Sequence, residues 1–324
     1  KLEELLLNTK FLSNGALTAL ASALISSSSR LLEEEPEDQD CAGAVTVSSV
    51  VWDSTPNVES AIVCLDLLTN TALANHQRIQ VMWVPMHAHF QQLLSNAQSP
   101  SLAAERTVVN QVRLCLRLAP VESVNGDLME GLRALTALPA NVLQSLADRI
   151  SVGLLTLLRA HAAHIKQRED WRSILSLFQE FAGMAPSASR PAFESLSFLL
   201  REEGRLQINA SNFDFCQQTL LGFVDSVLDP HVAKQHVAAD AAAAGNKGPG
   251  AVTAAQVHAW QLSTGANIMA LMQCLFLRLR TWKGCRAQAG TSVHATCPLV
   301  YLPAHRQPDS SAAMHGAPQG SQRG

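Results

Sequence analysis

The stretch "ANVLQSLADRISVGLLTLLRA", Ala140 to Ala160, decides the fold class of this 324-residue chain. Large apolar residues recur in it at steps of three or four, namely Leu143, Leu146, Ile150, Leu154 and Leu157. This spacing places them on one face of an α-helix and would scatter them over both faces of a β-strand. Pro139 stands just before the stretch, where the start of a helix tolerates proline. The pattern predicts an amphipathic helix.

Apolar stripes with the same period occur before and after this segment. They comprise Val58, Ile62, Leu65 and Leu68; Trp171, Ile174, Leu175, Phe178 and Phe181; and Phe213, Cys216, Leu220, Phe223, Val224 and Val227. Asp170 is a predicted N-cap of the second stripe, and Ser211 or Asn212 of the third. Weaker patterns predict further helices at residues 14–28, 75–95, 101–119, 126–138 and 190–203, with boundaries uncertain by about two to four residues.

Helix therefore follows helix with short breaks, and no clear strand intervenes. Successive helix pairs suggest an all-α protein, an α-solenoid of hairpins that bury their apolar stripes against one another. The hairpins recur about every 40 residues, a spacing similar to HEAT or armadillo units. A compact irregular bundle is the alternative.

Shifts in composition predict the domain organisation. The acidic and Ser-rich stretch Ser26–Asp40 is expected to be a solvated loop, and the residues after it have some strand-like character. "AADAAAAGNKGPGAV" reads as a low-complexity linker. The predicted units are an N-terminal helical segment with the acidic loop (1–56), a helical repeat domain (57–230), the linker (231–252), a further helix (253–283) and a disordered tail (284–324).

The overall composition excludes several classes of protein. A net charge of −3 argues against a nucleic-acid binder, which would usually carry a basic face. No apolar run reaches the roughly 18 residues of a membrane span, and the N-terminus lacks the apolar stretch of a signal peptide. Seven scattered cysteines without a CxxC pair suit a reducing compartment.

No combination of residues suggests chemistry. His87 and His89 lie two apart, so on a helix they point in different directions. His161 and His164 lie three apart on one helical face, but a zinc site needs a third or fourth ligand, usually from a second element. "GNKGPG" lacks the spacing of a phosphate-binding loop, and no GxSxG motif occurs. We therefore predict no catalytic residue, no metal and no cofactor.

Several segments resemble, in order, the large Golgi-type Arf guanine-nucleotide exchange factors, the family that includes GNOM and the brefeldin A-resistant Golgi factors. Asn75, Arg78, Ile79 and Trp83 fit the pattern of one family segment. The matching positions further along are His164, Ile165, Trp171, Ser197, Phe198, Glu203, Gly204, Asn212 and Phe213. The likeness covers about residues 1–228.

This resemblance implies a region downstream of the catalytic Sec-7 domain of that family. The chain would then be no enzyme itself but a regulatory and membrane-association scaffold, cytoplasmic and peripheral at Golgi membranes. Its implied partners are an Arf-family GTPase through the parent protein, Golgi lipids and other domains of the same protein. A free-standing α-solenoid adaptor is the alternative.

One basic cluster offers a lipid contact. Its members lie within ten residues at a helix end and the loop after it: Arg159, His161, His164, Lys166 and Arg168. Cations at this place commonly complement the dipole at a helix C-terminus. The sharper hypothesis is a basic edge that contacts anionic Golgi lipids.

Overall fold

A computed structural model describes residues 8–33, 55–201, 207–244 and 252–281. Within these ranges the chain forms α-helices and short 3₁₀ helices without a strand. The α-helices are α1 (Asn14–Glu33), α2 (Pro56–Ala74), α3 (Gln80–Ser95), α4 (Leu102–Leu118), α5 (Glu122–Ala134), α6 (Ala140–His161), α7 (Arg168–Ala182), α8 (Pro186–Leu200), α9 (Phe213–Leu228), α10 (Pro230–Ala243) and α11 (Ala254–Thr281). The predicted all-α fold is confirmed.

The helices form two layers, and within each layer a helix packs on the helix two places along the chain. One layer contains α2, α4, α6, α8 and α10, and the other contains α1, α3, α5, α7, α9 and α11. Consecutive helices form the antiparallel hairpins that join the layers, as in α1 with α2 and α7 with α8. This arrangement is that of an α-solenoid, and it belongs to one compact unit within residues 1–281.

The repeat length can be measured from side-chain contacts between successive hairpins. Hydrogen bonds join Asp66 to Asn110, Glu105 to Arg149, and Glu122 to Lys166, each across 44 residues. The bonds of Arg113 to Asn70 and of Arg168 to Asp214 span 43 and 46 residues, and that of Arg159 to Glu194 spans 35. The solenoid therefore repeats about every 44 residues, close to the spacing of hairpins predicted from the sequence.

The predicted apolar stripes supply the core between the layers. All five residues of the α6 stripe are buried, and so are all five of the α7 stripe. Trp83 and Trp171 are 3% and 1% exposed, so both indole rings lie in the core. Each fully buried large side chain contributes roughly 1.5–3 kcal/mol relative to an exposed one, which explains why these faces turn inward.

Local sequence signals set where several helices begin. The hydroxyls of Thr55 and Ser101 accept hydrogen bonds from the backbone N–H groups of Val58 and Ala104, which start α2 and α4. The Asp229 carboxylate does the same for α10. Pro56 occupies the first position of α2. An N–H group at this position would have no hydrogen-bond partner within the helix, so proline, which lacks one, costs nothing there.

Pro85 lies inside α3 without ending the helix. The helix runs from Gln80 through Pro85 to Ser95. Proline lacks the N–H that would have bonded the carbonyl of Val81. The hydroxyl of Thr18 in α1 lies 3.4 Å from that carbonyl oxygen and 3.0 Å from Asn14 O, so it shares its one proton between the two. A neighbouring helix therefore places a donor within reach of the freed carbonyl.

Two predicted loops are partly helical. Residues 26–33 of the Ser-rich stretch continue α1 because Ser28 is fully buried and its hydroxyl bonds Ile25 O and His89 Nε2. Residues 231–243 of the predicted linker belong to α10, whose Val232, Ala233 and Val237 are buried against its neighbours. The predicted further helix near 253–283 is present as α11.

The predicted N-caps are corrected in detail. Gln167, not Asp170, is the N-cap of α7; Asp170 lies in its first turn and pairs with Arg133 at 3.3 Å. Asn212 is the N-cap of α9, but its amide bonds Asn209 N and Gln207 O rather than the helix. The strand-like residues 41–54 and the tail 284–324 lie outside the described residues.

Candidate functional site

The predicted lipid-contact residues surround the turn between α6 and α7, called here the α6–α7 junction (residues 162–167). α6 ends at His161, and a three-residue 3₁₀ helix, Ala162–His164, follows. The chain is extended at Ile165, whose carbonyl accepts the Trp171 indole N–H at 3.0 Å. The buried tryptophan thus anchors the junction to the start of α7.

The two histidines lie together but do not form a metal site. Their ring centroids are 5.7 Å apart in an edge-to-face arrangement. His161 Nε2 lies 2.9 Å from the carbonyl oxygen of Leu116, in the last turn of α4. In the described residues, no three His, Cys, Asp or Glu side chains lie close enough together to hold a metal ion. His161 therefore caps a neighbouring helix.

The three permanent cations of the cluster reach three different helices. Arg159 pairs with Glu194 in α8 at 2.5 Å, and Lys166 pairs with Glu122 at the start of α5 at 3.3 Å. Arg168 pairs with Asp214 in α9 at 3.0 Å. Within the cluster, the structure places only the two histidine rings in contact. The cations join repeats rather than converge on one point.

These ion pairs are exposed, which sets their strength. The side chains involved are between 49% and 87% exposed. Exposed pairs contribute about 0–1 kcal/mol each and weaken with salt. Arg168 has two further contacts: it donates to Ala210 O, and its guanidinium lies 4.7 Å from the centre of the Phe215 ring. The three cations face three carboxylates, so the cluster has little net charge in this arrangement.

An earlier turn of the solenoid is built differently. It is the α2–α3 junction (residues 75–79), which contains the Asn-x-x-Arg motif. The Arg78 guanidinium donates to the carbonyl oxygens of Thr9, Lys10 and Leu12 at 2.6–3.0 Å. It also donates to Asn75 Oδ1 through two nitrogens. The motif thus binds the chain segment before α1 to the first hairpin.

The remaining polar atoms of this motif are also satisfied. Asn75 is 3% exposed, and its amide donates to Thr9 Oγ1 and Thr71 O. The indole N–H of Trp83 donates to Asp127 Oδ2 in α5 at 2.6 Å, and the His87 ring stacks on the indole. Asn75, Arg78 and Trp83, three of the residues that carried the family resemblance, therefore act as packing and hydrogen-bonding groups.

Two clefts are present on the described surface. One, of about 330 Å³, lies between α8, α9, α10 and α11, and His236 and Trp260 stack in it with ring centroids 4.7 Å apart. Burial, with a contribution from Arg190, lowers the pKa of His236. The other cleft, of about 440 Å³, borders the α2–α3 junction. The first cleft is lined by Ser189, Ser226 and His236, but both serine hydroxyls donate to backbone carbonyls, of Ala182 and Phe223, rather than to the imidazole.

Other buried titratable groups have structural surroundings. Burial raises the pKa of Cys115 and Cys216 to about 12, so both thiols stay protonated and inert. Burial likewise raises the pKa of Asp170 despite the Arg133 guanidinium beside it. None of the described helices has both the length and the apolar composition needed to traverse a bilayer.

Sequence reasoning missed the contacts that join repeats. The acid–base pairs Glu105 with Arg149, Glu122 with Lys166, and Arg168 with Asp214 are 44 to 46 residues apart. A search for opposite charges at that offset would have suggested them. It would not have found Arg78, because the partners of this arginine are backbone carbonyls and carry no side-chain signal.

Comparison with known proteins agrees with the resemblance. The chain is 29% identical over 203 residues to the ARF guanine-nucleotide exchange factor GNL1 of Arabidopsis thaliana, which covers 62% of this chain and 13% of that protein. It is 27% identical over 228 residues to the ARF guanine-nucleotide exchange factor GNOM of the same organism, covering 69% and 14%.

A relative from another organism matches as well. The Golgi-specific brefeldin A-resistance guanine nucleotide exchange factor 1 homolog of Caenorhabditis elegans is 27% identical over 185 residues, covering 56% of this chain and 9% of that protein. No family model matches the chain, and no solved structure matches it. The chain is therefore similar, over more than half of its residues, to a short segment of large ARF guanine-nucleotide exchange factors.

Proposed function

We propose that this chain is a non-catalytic, regulatory scaffold of a large Arf guanine-nucleotide exchange factor, placed downstream of its Sec-7 domain. The observation that carries the proposal is the structural use of the shared motif. Asn75, Arg78 and Trp83 fit the family pattern, and all three hold helices together. A segment whose shared residues serve packing suits a scaffold better than a catalyst.

The solenoid is also suited to this role. Each repeat contacts only its neighbours, so such folds present long surfaces to other domains or proteins. The implied partners are an Arf-family GTPase, reached through the parent protein, and other domains of that protein. The implied location is the cytoplasmic side of Golgi membranes. The aligned part of the chain spans only 9–14% of its relatives, so these roles concern a larger protein.

A nucleotide-release assay tests the absence of catalysis. Arf loaded with a fluorescent nucleotide is mixed with the purified chain, and the release rate is compared with buffer. We expect no acceleration, because the segment resembles a region outside the exchange domain. The regulatory role is tested by adding the chain to a Sec-7 domain of a relative, where we expect a changed exchange rate. Acceleration by the chain alone would contradict the proposal.

The membrane contact at the α6–α7 junction is the second part of the proposal. Each Lys or Arg near an anionic surface contributes about 1 kcal/mol, so three cations would support weak, reversible binding. The facing carboxylates of Glu122, Glu194 and Asp214 oppose it. We therefore expect the contact to need open ion pairs and a second anchor in the parent protein.

Co-sedimentation with anionic vesicles at two salt concentrations tests this contact. Replacing Arg159, Lys166 and Arg168 by Glu should abolish a salt-sensitive signal. Replacing Glu122 and Glu194 by Gln, and Asp214 by Asn, should strengthen it because the cations lose their partners. Binding that survives the triple reversal would show that another surface meets the membrane.

A free-standing adaptor is the alternative function, since a solenoid alone suits either role. The reading frame upstream of residue 1 distinguishes the scaffold function from the adaptor function. A frame that continues into a Sec-7 domain supports the scaffold, and a frame that does not supports the adaptor.

A further inference from the structure

The cleft between α8, α9, α10 and α11 is lined by polar groups that form no hydrogen bond with the protein. His236 is 5% exposed and its ring stacks on that of Trp260, with centroids 4.7 Å apart. In the part of the chain that the structure describes, neither ring nitrogen of His236 forms a hydrogen bond, and the indole N–H of Trp260 forms none either. Buried polar groups in folded proteins are nearly always paired, so these groups are available to a ligand.

One positive charge at the cleft is also unpaired. Arg190 and Glu194 line the cleft, but Arg190 pairs with Asp240 of α10, and Glu194 pairs with Arg159 of α6. Arg201 directly follows the last residue of α8 and is exposed. Among the described residues it has no carboxylate partner, although it lines the same cleft. The guanidinium of Arg201 is therefore the charge that a bound anion would meet.

An apolar wall lies beside these polar groups. The rings of Phe193 and Phe223 meet edge to face with centroids 5.3 Å apart, and both line the cleft together with Trp260. The side-chain amide of Gln261 donates to Val227 O at 2.9 Å, which holds α11 against α9. The space of about 330 Å³ lies within the range of small-ligand pockets. An apolar wall with a few polar groups is the usual composition of such a pocket.

We propose that this cleft binds a monocarboxylate with an apolar body, whose carboxylate pairs with Arg201 and whose body contacts the three aromatic rings. A guanidinium presents parallel N–H donors that match the two oxygens of a carboxylate. Burial and the nearby Arg190 lower the pKa of His236, so its neutral ring offers one donor and one acceptor to the ligand. A dianion suits the cleft less well, because one cation is unpaired and Glu194 lines the same space.

Two kinds of molecule carry this chemistry. One is a small aryl or alkyl acid, and the other is the C-terminal residue of a peptide, in which the carboxylate stands next to an apolar side chain. In both, conversion of the acid to its amide removes the charge and keeps the shape. Acid and amide pairs therefore test the role of the charge, and a comparison of the two acids distinguishes the sources.

NMR titrations of the full 324-residue chain provide the test. The probes are 3-phenylpropionate and the uncharged 3-phenylpropionamide, at about pH 7.5, where the carboxylate is ionised. We expect a Kd of about 1 mM for the acid, the scale for a ligand of this size, and at least about tenfold weaker binding of the amide. The imidazole signal of His236, identified by its loss in His236→Gln, should shift when the acid binds.

A pair of arginine variants tests the assigned contact. Arg201→Gln should weaken binding of the acid by about tenfold, so that acid and amide bind alike. Arg117→Gln is the matched control, because Arg117 is an exposed arginine in the last turn of α4, two repeats earlier, and lines neither cleft. It should leave the preference for the acid unchanged. Circular dichroism shows whether each variant keeps its helical content.

Acetyl-leucyl-phenylalanine and its C-terminal amide distinguish the two sources. A peptide acid that binds at least about tenfold more tightly than 3-phenylpropionate assigns the cleft to peptide C-termini. A peptide acid that binds equally or more weakly assigns it to small acids. In either case the peptide acid should lose its advantage over the peptide amide in Arg201→Gln.

Several results would overturn the proposal. Absence of binding up to about 20 mM acid would show that the cleft is no site for this chemistry. Equal binding of acid and amide, or a preference for the acid that survives Arg201→Gln, would remove the role of the cation. Phenyl phosphate that binds more tightly than 3-phenylpropionate would replace the monocarboxylate by a dianion. A His236 signal that stays in place while the acid binds would locate the binding elsewhere.

Discussion

The α2–α3 junction and the α6–α7 junction occupy the same place in two repeats but hold their cations differently. Each junction connects a helix of the layer that contains α2 and α6 to a helix of the layer that contains α3 and α7. Each also contains a three-residue 3₁₀ helix. At the first, Arg78 is half-buried and its donors reach backbone carbonyls. At the second, Lys166 and Arg168 pair with carboxylates on exposed side chains, and only one backbone carbonyl, that of Ala210, accepts from Arg168.

This difference separates a fixed contact from an adjustable one. Backbone carbonyls cannot rotate away or be titrated, and a donor removed from them leaves partly buried acceptors without partners. An exposed carboxylate can turn toward water at little cost and is screened by salt. We therefore expect the α2–α3 junction to serve stability and the α6–α7 junction to be available for binding.

The largest expected effect concerns the tryptophans that follow the two junctions. Trp83→Ala and Trp171→Ala should each lower the free energy of unfolding by about 3–5 kcal/mol in urea titrations, because both side chains are buried. Trp83→Phe is the milder variant: it keeps an aromatic ring but removes the pyrrole part of the indole and with it the donor to Asp127, so it should cost less than Trp83→Ala. Losses under about 0.5 kcal/mol, the scale of neutral surface changes, would show that the burial is wrong.

The second expected effect breaks the comparison directly. Arg78→Ala should cost about 3 kcal/mol, because several acceptors lose a charged donor together. Arg168→Ala should cost less, about 1 kcal/mol, because its ion pair is exposed and its other contacts are one backbone carbonyl and the Phe215 ring. Arg78→Lys keeps the charge but cannot reach the same set of carbonyls, so it should recover only part of the loss. Equal costs at the two arginines would mean that the junctions are not different in kind.

A third effect depends on pH and concerns the contact between α1 and α3. Burial lowers the pKa of His89, which is bonded to Ser28. The unfolded chain therefore binds a proton more readily, and this contribution to stability falls as pH drops below about 6.5. Urea titrations at about pH 7.5 and about pH 5.5 should show lower stability at the acid pH.

His89→Gln is the matched control for that effect. Glutamine can keep a hydrogen bond to Ser28 but does not titrate, so the difference between the two pH values should shrink. His236, whose pKa burial also lowers, remains in this variant and should supply the residual dependence. An unchanged difference would assign the effect to other groups.

The smallest expected effect sharpens the description of the α6–α7 junction. A double-mutant cycle with Lys166→Gln and Glu122→Gln should give a coupling free energy under about 1 kcal/mol. Raising the salt concentration should reduce the coupling further, because both side chains are exposed. A coupling near about 3 kcal/mol would mean that this pair is structural, like a buried one.

Much of the fold could be predicted from the sequence, because burial of an apolar stripe is a local pattern. The stripes of α6 and α7 were predicted residue by residue, and every member is buried. Composition led to a wrong prediction for Ser26–Glu33 and for residues 231–243, which were expected to be a loop and a linker but are helical. Serine and alanine runs are typical of loops and linkers, but here Ser28 has a buried partner in His89 and α10 has neighbours to pack against.

The candidate site was predicted less well. The order of the segments indicated the family resemblance, and the basic cluster was visible as a run of cations. Its charge balance was not, because Glu194, Glu122 and Asp214 lie 35 to 46 residues away. Asp170 suited an N-cap by type and position, but Arg133 of α5 lies within reach of its carboxylate in the folded chain.

By itself, the sequence determined that this protein is helical, where most of its helices lie and which family it resembles. These properties follow from the spacing of apolar residues and from short motifs, which neighbouring residues specify. Only the tertiary structure decided that Arg78 binds the segment before α1, that the basic cluster is matched by carboxylates and that α11 turns Leu262, Met269 and Phe276 away from the described helices. Such contacts join residues that are tens of positions apart in the sequence. Whether two side chains meet depends on their distance in the folded chain, which the local sequence does not specify.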